Sequence, residues 1–101
     1  MGYNKLVRDK IPEIIKESGK EPVTHIADDG EYWEKLKEKL REEVDEFVKD
    51  SNEGELADVL EVIDAICDLR GFDMGNVEEI KRKKFKERGR FREKIILDGV
   101  K

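Results

Sequence analysis

The chain has 101 residues, of which 47% are charged and 37% are hydrophobic, and its 21 Lys and Arg against 26 Asp and Glu give a net charge of −5. This length fits one domain, expected over residues 1–101, and the acidic balance argues against a general nucleic-acid binder. A monomer of this composition would have a thin core, so we expect self-association.

The first residues carry no secretion or membrane signal. Charges at Lys5, Arg8, Asp9 and Lys10 interrupt any apolar run that a signal peptide needs. No segment approaches the about 18 apolar residues that cross a bilayer. The single cysteine, Cys67, excludes an intrachain disulfide and a Cys-based zinc site. We therefore expect a soluble, cytoplasmic protein that does not bind membranes.

Two helices are predicted in the first half of the chain. A short one begins near Ile11, with Pro12 in its first turn and Gly19 suited to its C-terminal cap. Asp28 followed by Glu31 is a capping-box pattern, which predicts that a long amphipathic helix follows over roughly residues 31–49. The apolar stripe of that helix includes Trp33, which is expected to pack in the core, and His25 before it is expected to be structural or exposed.

Two more helices are predicted in the second half. Asn52 with Glu55 is another capping-box pattern, opening a helix over about residues 53–70. Apolar residues cover more than half of its circumference, which predicts a central helix with neighbours on several sides. A basic helix over about residues 76–88 follows, and the periodicity of 90–97 is ambiguous. The expected fold is all-α.

Acidic residues on the second helix divide by their angular position. Glu42 lies about opposite the apolar stripe and is expected to face water. Glu43 and Glu46 instead flank the stripe, on the same side as Lys39. These three side chains are therefore expected to form one half-buried strip.

The third helix places two more carboxylates on or beside its apolar side. Glu55 and Asp58 are three residues apart, and their desolvation is costly unless a cation meets them. Antiparallel packing across the short turn would bring them opposite Glu43 and Glu46. Four converging carboxylates favour a divalent cation, and Mg²⁺, with Mn²⁺ as a substitute, prefers such all-oxygen sites. The alternative is an ordinary helical hairpin in which Glu55 only caps its helix and Asp58 pairs with a Lys or Arg.

Three segments resemble the all-α nucleoside triphosphate pyrophosphatases, the MazG-like and phosphoribosyl-ATP pyrophosphohydrolase-like proteins. Glu42–Glu46 followed by Glu55–Asp58 is similar to their EExxE…ExxD signature. The opening segment, Tyr3–Pro12, resembles the start of a small subgroup described as predicted house-cleaning pyrophosphatases. Glu87–Phe91 is similar to the KRGGF-type segment of that subgroup. The resemblance extends over about residues 3–97.

The resemblance implies a MazG-like helical bundle that is completed by oligomerisation, as a homodimer or homotetramer. It also implies Mg²⁺-dependent cleavage of a nucleoside triphosphate between the α- and β-phosphates, which releases a nucleoside monophosphate and pyrophosphate. The metal ligands that it implies are Glu43, Glu46, Glu55 and Asp58.

The resemblance and the charges also assign roles to other side chains. A carboxylate, Glu43 or Glu46, is a candidate general base, and Lys39 matches a lysine that the family uses near the phosphates. The substrate-binding candidates are the basic side chains of the N-terminal segment and of the fourth helix: Lys5, Arg8, Lys10, Lys84 and Arg88.

Two alternatives to this function remain open. One is hydrolysis of phosphoribosyl-ATP in histidine biosynthesis, which uses the same chemistry on a different substrate. The other is a non-enzymatic helical-bundle interaction module, whose acidic side chains only confer solubility.

Overall fold

The structure is a computed structural model, and it describes residues 4–101. Tyr3, the first residue of the opening motif, therefore lies outside the described residues. The regular structure consists of α1 (Ile11–Glu17), α2 (Asp29–Asp50), α3 (Glu53–Arg70) and α4 (Met74–Arg88), and residues 4–101 contain no strand. The predicted all-α class is confirmed. The bounds of α3 are those predicted, whereas α2 and α4 each begin two residues earlier than predicted.

Side-chain caps begin α2 and α3 where the sequence predicts them. The Glu31 backbone N–H donates to Asp28 Oδ1 at 2.8 Å, and the Glu55 backbone N–H donates to Asn52 Oδ1 at 2.8 Å. Ser51 ends α2 in the left-handed region at φ 46°, with its N–H bonded to the Phe47 carbonyl. The chain therefore reverses within two residues, and α3 returns along α2 as a helical hairpin.

The core of this hairpin is small. Leu36 of α2 is only 1% exposed, and it is accompanied by Val59, Val62 and Cys67 of α3 as the buried apolar side chains of the described residues. This result agrees with the thin core expected from composition.

The prediction that α3 is a central helix with neighbours on several sides is wrong for the single chain. Within residues 4–70, α2 is the only helix that packs extensively against α3. Leu56 and Leu60 of α3 remain 42% and 52% exposed. The broad apolar arc of α3 therefore exceeds what one neighbouring helix can cover.

Trp33 and His25 lie outside the core. The Trp33 ring is half-buried, with Lys37 Nζ 5.1 Å and the Arg70 guanidinium 5.0 Å from its centre. This cation–π arrangement connects the first part of α2 with the last turn of α3. His25 is exposed, as one of its two expected outcomes, and its Nε2 lies 3.0 Å from a Glu31 carboxylate oxygen.

The chain divides into two compact units, which meet in sequence between Arg70 and Gly71. The first contains α1, α2 and α3, and the second contains α4 and the tail. Within the second unit, the Arg90 guanidinium lies 4.1 Å from the centre of the Phe85 ring. No described helix is both long enough and apolar enough to span a membrane. A single domain over 1–101, the MazG-like arrangement and oligomerisation all stay predictions.

Replacement of Leu36 by Ala should lower the free energy of unfolding by about 2–5 kcal/mol, because Leu36 is the most completely buried side chain and its loss leaves a cavity. Urea denaturation followed by circular dichroism measures the change. Ile26→Ala is the control, since Ile26 is 96% exposed. Equal effects of the two substitutions would contradict this assignment of the core.

Candidate metal centre

Three of the four predicted carboxylates come together where α2 and α3 face each other. Oxygens of Glu43 on α2 and of Glu55 and Asp58 on α3 all lie within 4.8 Å of one another, and all three residues are half-buried. The hairpin creates this arrangement, since Glu55 and Asp58 share one face of α3 at a spacing of three residues. We call these three residues the carboxylate cluster.

The fourth predicted ligand belongs to a second group. Glu46 and Asp50, four residues apart on α2, have oxygens within 4.8 Å of one another and of Glu55. The structure therefore divides the predicted quartet into two groups that share Glu55. Asp50 was missed by the sequence analysis, although its position one turn after Glu46 is a signal that could have found it.

Glu55 is surrounded by negative charge. Partial burial, followed by the carboxylates of Glu46, Asp58, Asp50 and Glu43, raises the pKa of Glu55 above its ordinary value. The negative charge of the two carboxylate groups thus favours either a proton on Glu55 or a cation bound beside it. A divalent cation would relieve the same repulsion while leaving Glu55 ionised.

Two cluster members also contact basic side chains. Arg8 Nη2 donates to Asp58 Oδ1 at 2.8 Å, and Lys39 Nζ lies 3.4 Å from Glu43 Oε1. The Lys39 side chain is only 19% exposed. The cluster therefore combines two features that the sequence offered as alternatives. Its carboxylates converge, and Asp58 pairs with an arginine.

The prediction that Glu42 faces water requires correction. Its side chain is 40% exposed, and Oε1 lies 3.5 Å from both Lys5 Nζ and Lys39 Nζ. Lys5 belongs to the segment before α1, which lines one groove together with Leu36, Lys39 and Glu43 of α2. A helical wheel of α2 alone contains no information about this segment, so it does not predict the contact between Lys5 and Glu42.

A groove of about 850 Å³ lies beside the carboxylate cluster. Its walls are the segment 5–11 on one side and α2 and α3 on the other. The groove brings most of the predicted site together, since its lining includes the four cations Lys5, Arg8, Lys10 and Lys39. It also includes six carboxylates, those of Asp9, Glu43, Asp58, Glu61, Asp64 and Asp68.

Lys84 and Arg88, the substrate-binding candidates of the C-terminal half, lie on α4 in the second compact unit. Both side chains are exposed. All residues that line the groove belong to the first unit. A role for Lys84 and Arg88 at the phosphates therefore stays a prediction.

The donor set of the cluster suits Mg²⁺. All of its ligands are carboxylate oxygens, which Mg²⁺ and Mn²⁺ prefer. Two oxygens bound to one Mg²⁺ are at most about 4.2 Å apart, since each lies about 2.1 Å from the ion. The separations within 4.8 Å in the cluster are close to this limit.

Comparison with known proteins gives no functional identification. No family model and no solved structure matches the chain. A protein of Mycolicibacterium smegmatis (strain ATCC 700084 / mc(2)155), described as an uncharacterized protein, is 55% identical over 42 residues, which are 42% of this chain and 43% of the relative. Because the similar region covers less than half of each protein, the sequence similarity applies to that region alone.

Because the pKa of Glu55 is raised, Glu55→Gln should stabilise the fold by an amount that depends on pH. The prediction applies to protein that a chelator keeps free of divalent metal. A raised pKa in the folded state stabilises the fold below the ordinary pKa of 4.5, and this contribution is lost as pH rises through the folded-state pKa. Glu55→Gln should therefore melt above the wild type at pH 7, and the difference should shrink as pH falls toward 4.5. Thermal melts across this pH range measure it.

Glu53→Gln is the matched control for Glu55→Gln, since Glu53 lies in the same first turn of α3 and belongs to neither carboxylate group. It corrects for the loss of a favourable charge at the helix N-terminus. Two results would contradict charge repulsion at Glu55. One is a Glu55→Gln protein that melts below Glu53→Gln at pH 7, and the other is a difference in melting temperature between the two variants that does not vary with pH.

Proposed function

We propose that the protein is a magnesium-dependent nucleoside triphosphate pyrophosphohydrolase, a homo-oligomeric cytoplasmic enzyme that serves nucleotide-pool house-cleaning. It cleaves between the α- and β-phosphates and releases a nucleoside monophosphate and pyrophosphate. The observation that carries the proposal is the convergence of the Glu43, Glu55 and Asp58 oxygens to within 4.8 Å of one another, beside a groove with four cationic side chains. The resemblance of the EExxE…ExxD, N-terminal and C-terminal segments supports the same activity.

The site contains both carboxylates and cationic side chains, which fits the joint binding of a metal ion and a phosphate group. A triphosphate carries several negative charges, and the carboxylate cluster alone would repel it. Glu43, Glu55 and Asp58 would hold Mg²⁺, which would supply positive charge to phosphate oxygens and would lower the pKa of a water bound to it. The groove volume of about 850 Å³ lies within the range of small-molecule sites.

We assign the binding of phosphate and the stabilisation of the leaving group to cationic side chains of the groove. Lys39 is only 19% exposed beside Glu43, which positions its ammonium group for a phosphate oxygen. The cations of the segment 5–11 neutralise the charge that develops on the leaving pyrophosphate. Both groups stabilise negative charge within the same groove.

Glu46 is the better candidate for general base. Among residues 4–101 it makes no ion pair, whereas Glu43 is paired with Lys39. Its carboxylate accepts the proton of the attacking water while that water's oxygen forms a bond to the α-phosphorus. The bond from the α-phosphorus to the bridging oxygen breaks, and its electron pair leaves with pyrophosphate.

The exposed apolar side of α3 supports the oligomeric part of the proposal. Leu56 and Leu60 of α3 and Val48 of α2 are 42%, 52% and 70% exposed. Covering such side chains with a second copy would add the apolar burial that a small core lacks.

Activity with a panel of nucleoside triphosphates tests the proposal. Purified protein with Mg²⁺ should release pyrophosphate from at least one canonical or modified triphosphate, and Asp58→Asn should lower kcat/KM roughly 100-fold or more, because one metal ligand is lost. Quantification of pyrophosphate and of the nucleoside monophosphate measures the reaction.

Asp45→Asn is the matched control for Asp58→Asn. Asp45 is exposed, lies within the EExxE segment and belongs to neither carboxylate group. It should retain wild-type activity. Absence of turnover on the whole panel, with phosphoribosyl-ATP included, would overturn the proposal and favour the interaction module. Equal losses in the two variants would overturn the assignment of the cluster.

A further inference from the structure

Arg8 makes the shortest contact between a cation and the carboxylate cluster. Its Nη2 lies 2.8 Å from Asp58 Oδ1, whereas Lys39 Nζ lies 3.4 Å from Glu43. Glu55, the third member, makes no ion pair within residues 4–101. One guanidinium therefore binds a carboxylate that the proposed metal centre also needs.

The two ion pairs differ in origin. Lys39 and Glu43 are four residues apart on one helix, so their contact follows from helix geometry. Arg8 and Asp58 are 50 residues apart in sequence, and their contact joins the two walls of the groove. Arg8 reaches Asp58 from the segment that leads into α1, where its carbonyl accepts a hydrogen bond from the Ile11 N–H.

The Arg8 side chain has access to two kinds of anion. It is 58% exposed and lines the groove, so its guanidinium can reach a ligand there as well as Asp58. The planar guanidinium matches a carboxylate and a phosphate equally well in geometry. A cation bound at Asp58 repels Arg8, and a triphosphate in the groove offers it another anion.

We propose that Arg8 exchanges partners during substrate binding, from the Asp58 carboxylate to the phosphate oxygens of a metal-bound triphosphate. This inference rests on the proposed function, since it assumes a cation at the carboxylate cluster. Arg8 then competes with metal alone and attracts the metal–nucleotide complex. Metal and nucleotide binding are therefore coupled positively, with Arg8 as the coupling residue.

Two binding measurements on Arg8→Gln test the exchange. The first is the Kd for Mn²⁺ alone, from electron paramagnetic resonance of the free ion. The second is the Kd for the Mn²⁺ complex of an α,β-methylene nucleoside triphosphate, which resists hydrolysis. Arg8→Gln should bind Mn²⁺ alone about two- to fivefold more tightly, because an exposed competing ion pair is lost. It should bind the analogue complex about tenfold or more weakly, because a charge-assisted hydrogen bond to phosphate is lost.

Lys10→Gln is the control for the first measurement. Lys10 lines the same groove but makes no ion pair with any described residue, so its removal changes the local charge alone. The affinity of Arg8→Gln for Mn²⁺ should exceed that of Lys10→Gln. Arg8→Lys keeps the charge but lacks the guanidinium, and it should show changes of the same signs and smaller size. It also provides the two measurements if Arg8→Gln does not fold.

The outcomes separate this inference from the function on which it rests. If the wild type binds neither Mn²⁺ nor the analogue complex, both fail. If the wild type binds both but the Arg8 substitutions change the two affinities in the same direction, or change neither, only the exchange is overturned. Opposite changes, with tighter Mn²⁺ and weaker analogue binding, support it.

Discussion

Electrostatic repulsion among half-buried carboxylates is the constraint on which the proposed site depends. The two-residue turn at Ser51 fixes α2 against α3 so closely that Glu43, Glu55 and Asp58 must share one small volume. Like charges at such separations destabilise a fold unless a proton or cation compensates them. Partial burial, followed by repulsion from the neighbouring carboxylates, raises the pKa of Glu55 above its ordinary value. A divalent cation is the compensation that would also bring phosphate to the groove.

The segment before α1 supplies the positive half of the site. It has no regular structure between Lys5 and Arg8, yet it forms one wall of the groove and contacts both helices of the hairpin. Lys5 contacts Glu42 of α2, and Arg8 contacts Asp58 of α3. The fixed geometry of two helices is thus combined with the cations of a short segment that is not helical.

Much of the fold and part of the site could be predicted from the sequence, because caps and periodicity are local properties. Asp28 and Asn52 mark the beginnings of helices whatever surrounds them. The central position predicted for α3 failed because periodicity shows how much surface is apolar, and not whether another part of the same chain covers it. The surroundings of Glu42 and the pairing of Arg8 with Asp58 depend on contacts between distant residues, which no wheel of one helix contains.

Anomalous diffraction from crystals grown with Mn²⁺ tests the central claim most directly. We expect a Mn²⁺ peak at bonding distance from oxygens of Glu43, Glu55 and Asp58, and loss of that peak in Glu55→Gln crystals grown with the same Mn²⁺ concentration. A fully occupied Mn²⁺ bound elsewhere, or carboxylates that stay unliganded at saturating Mn²⁺, would contradict it.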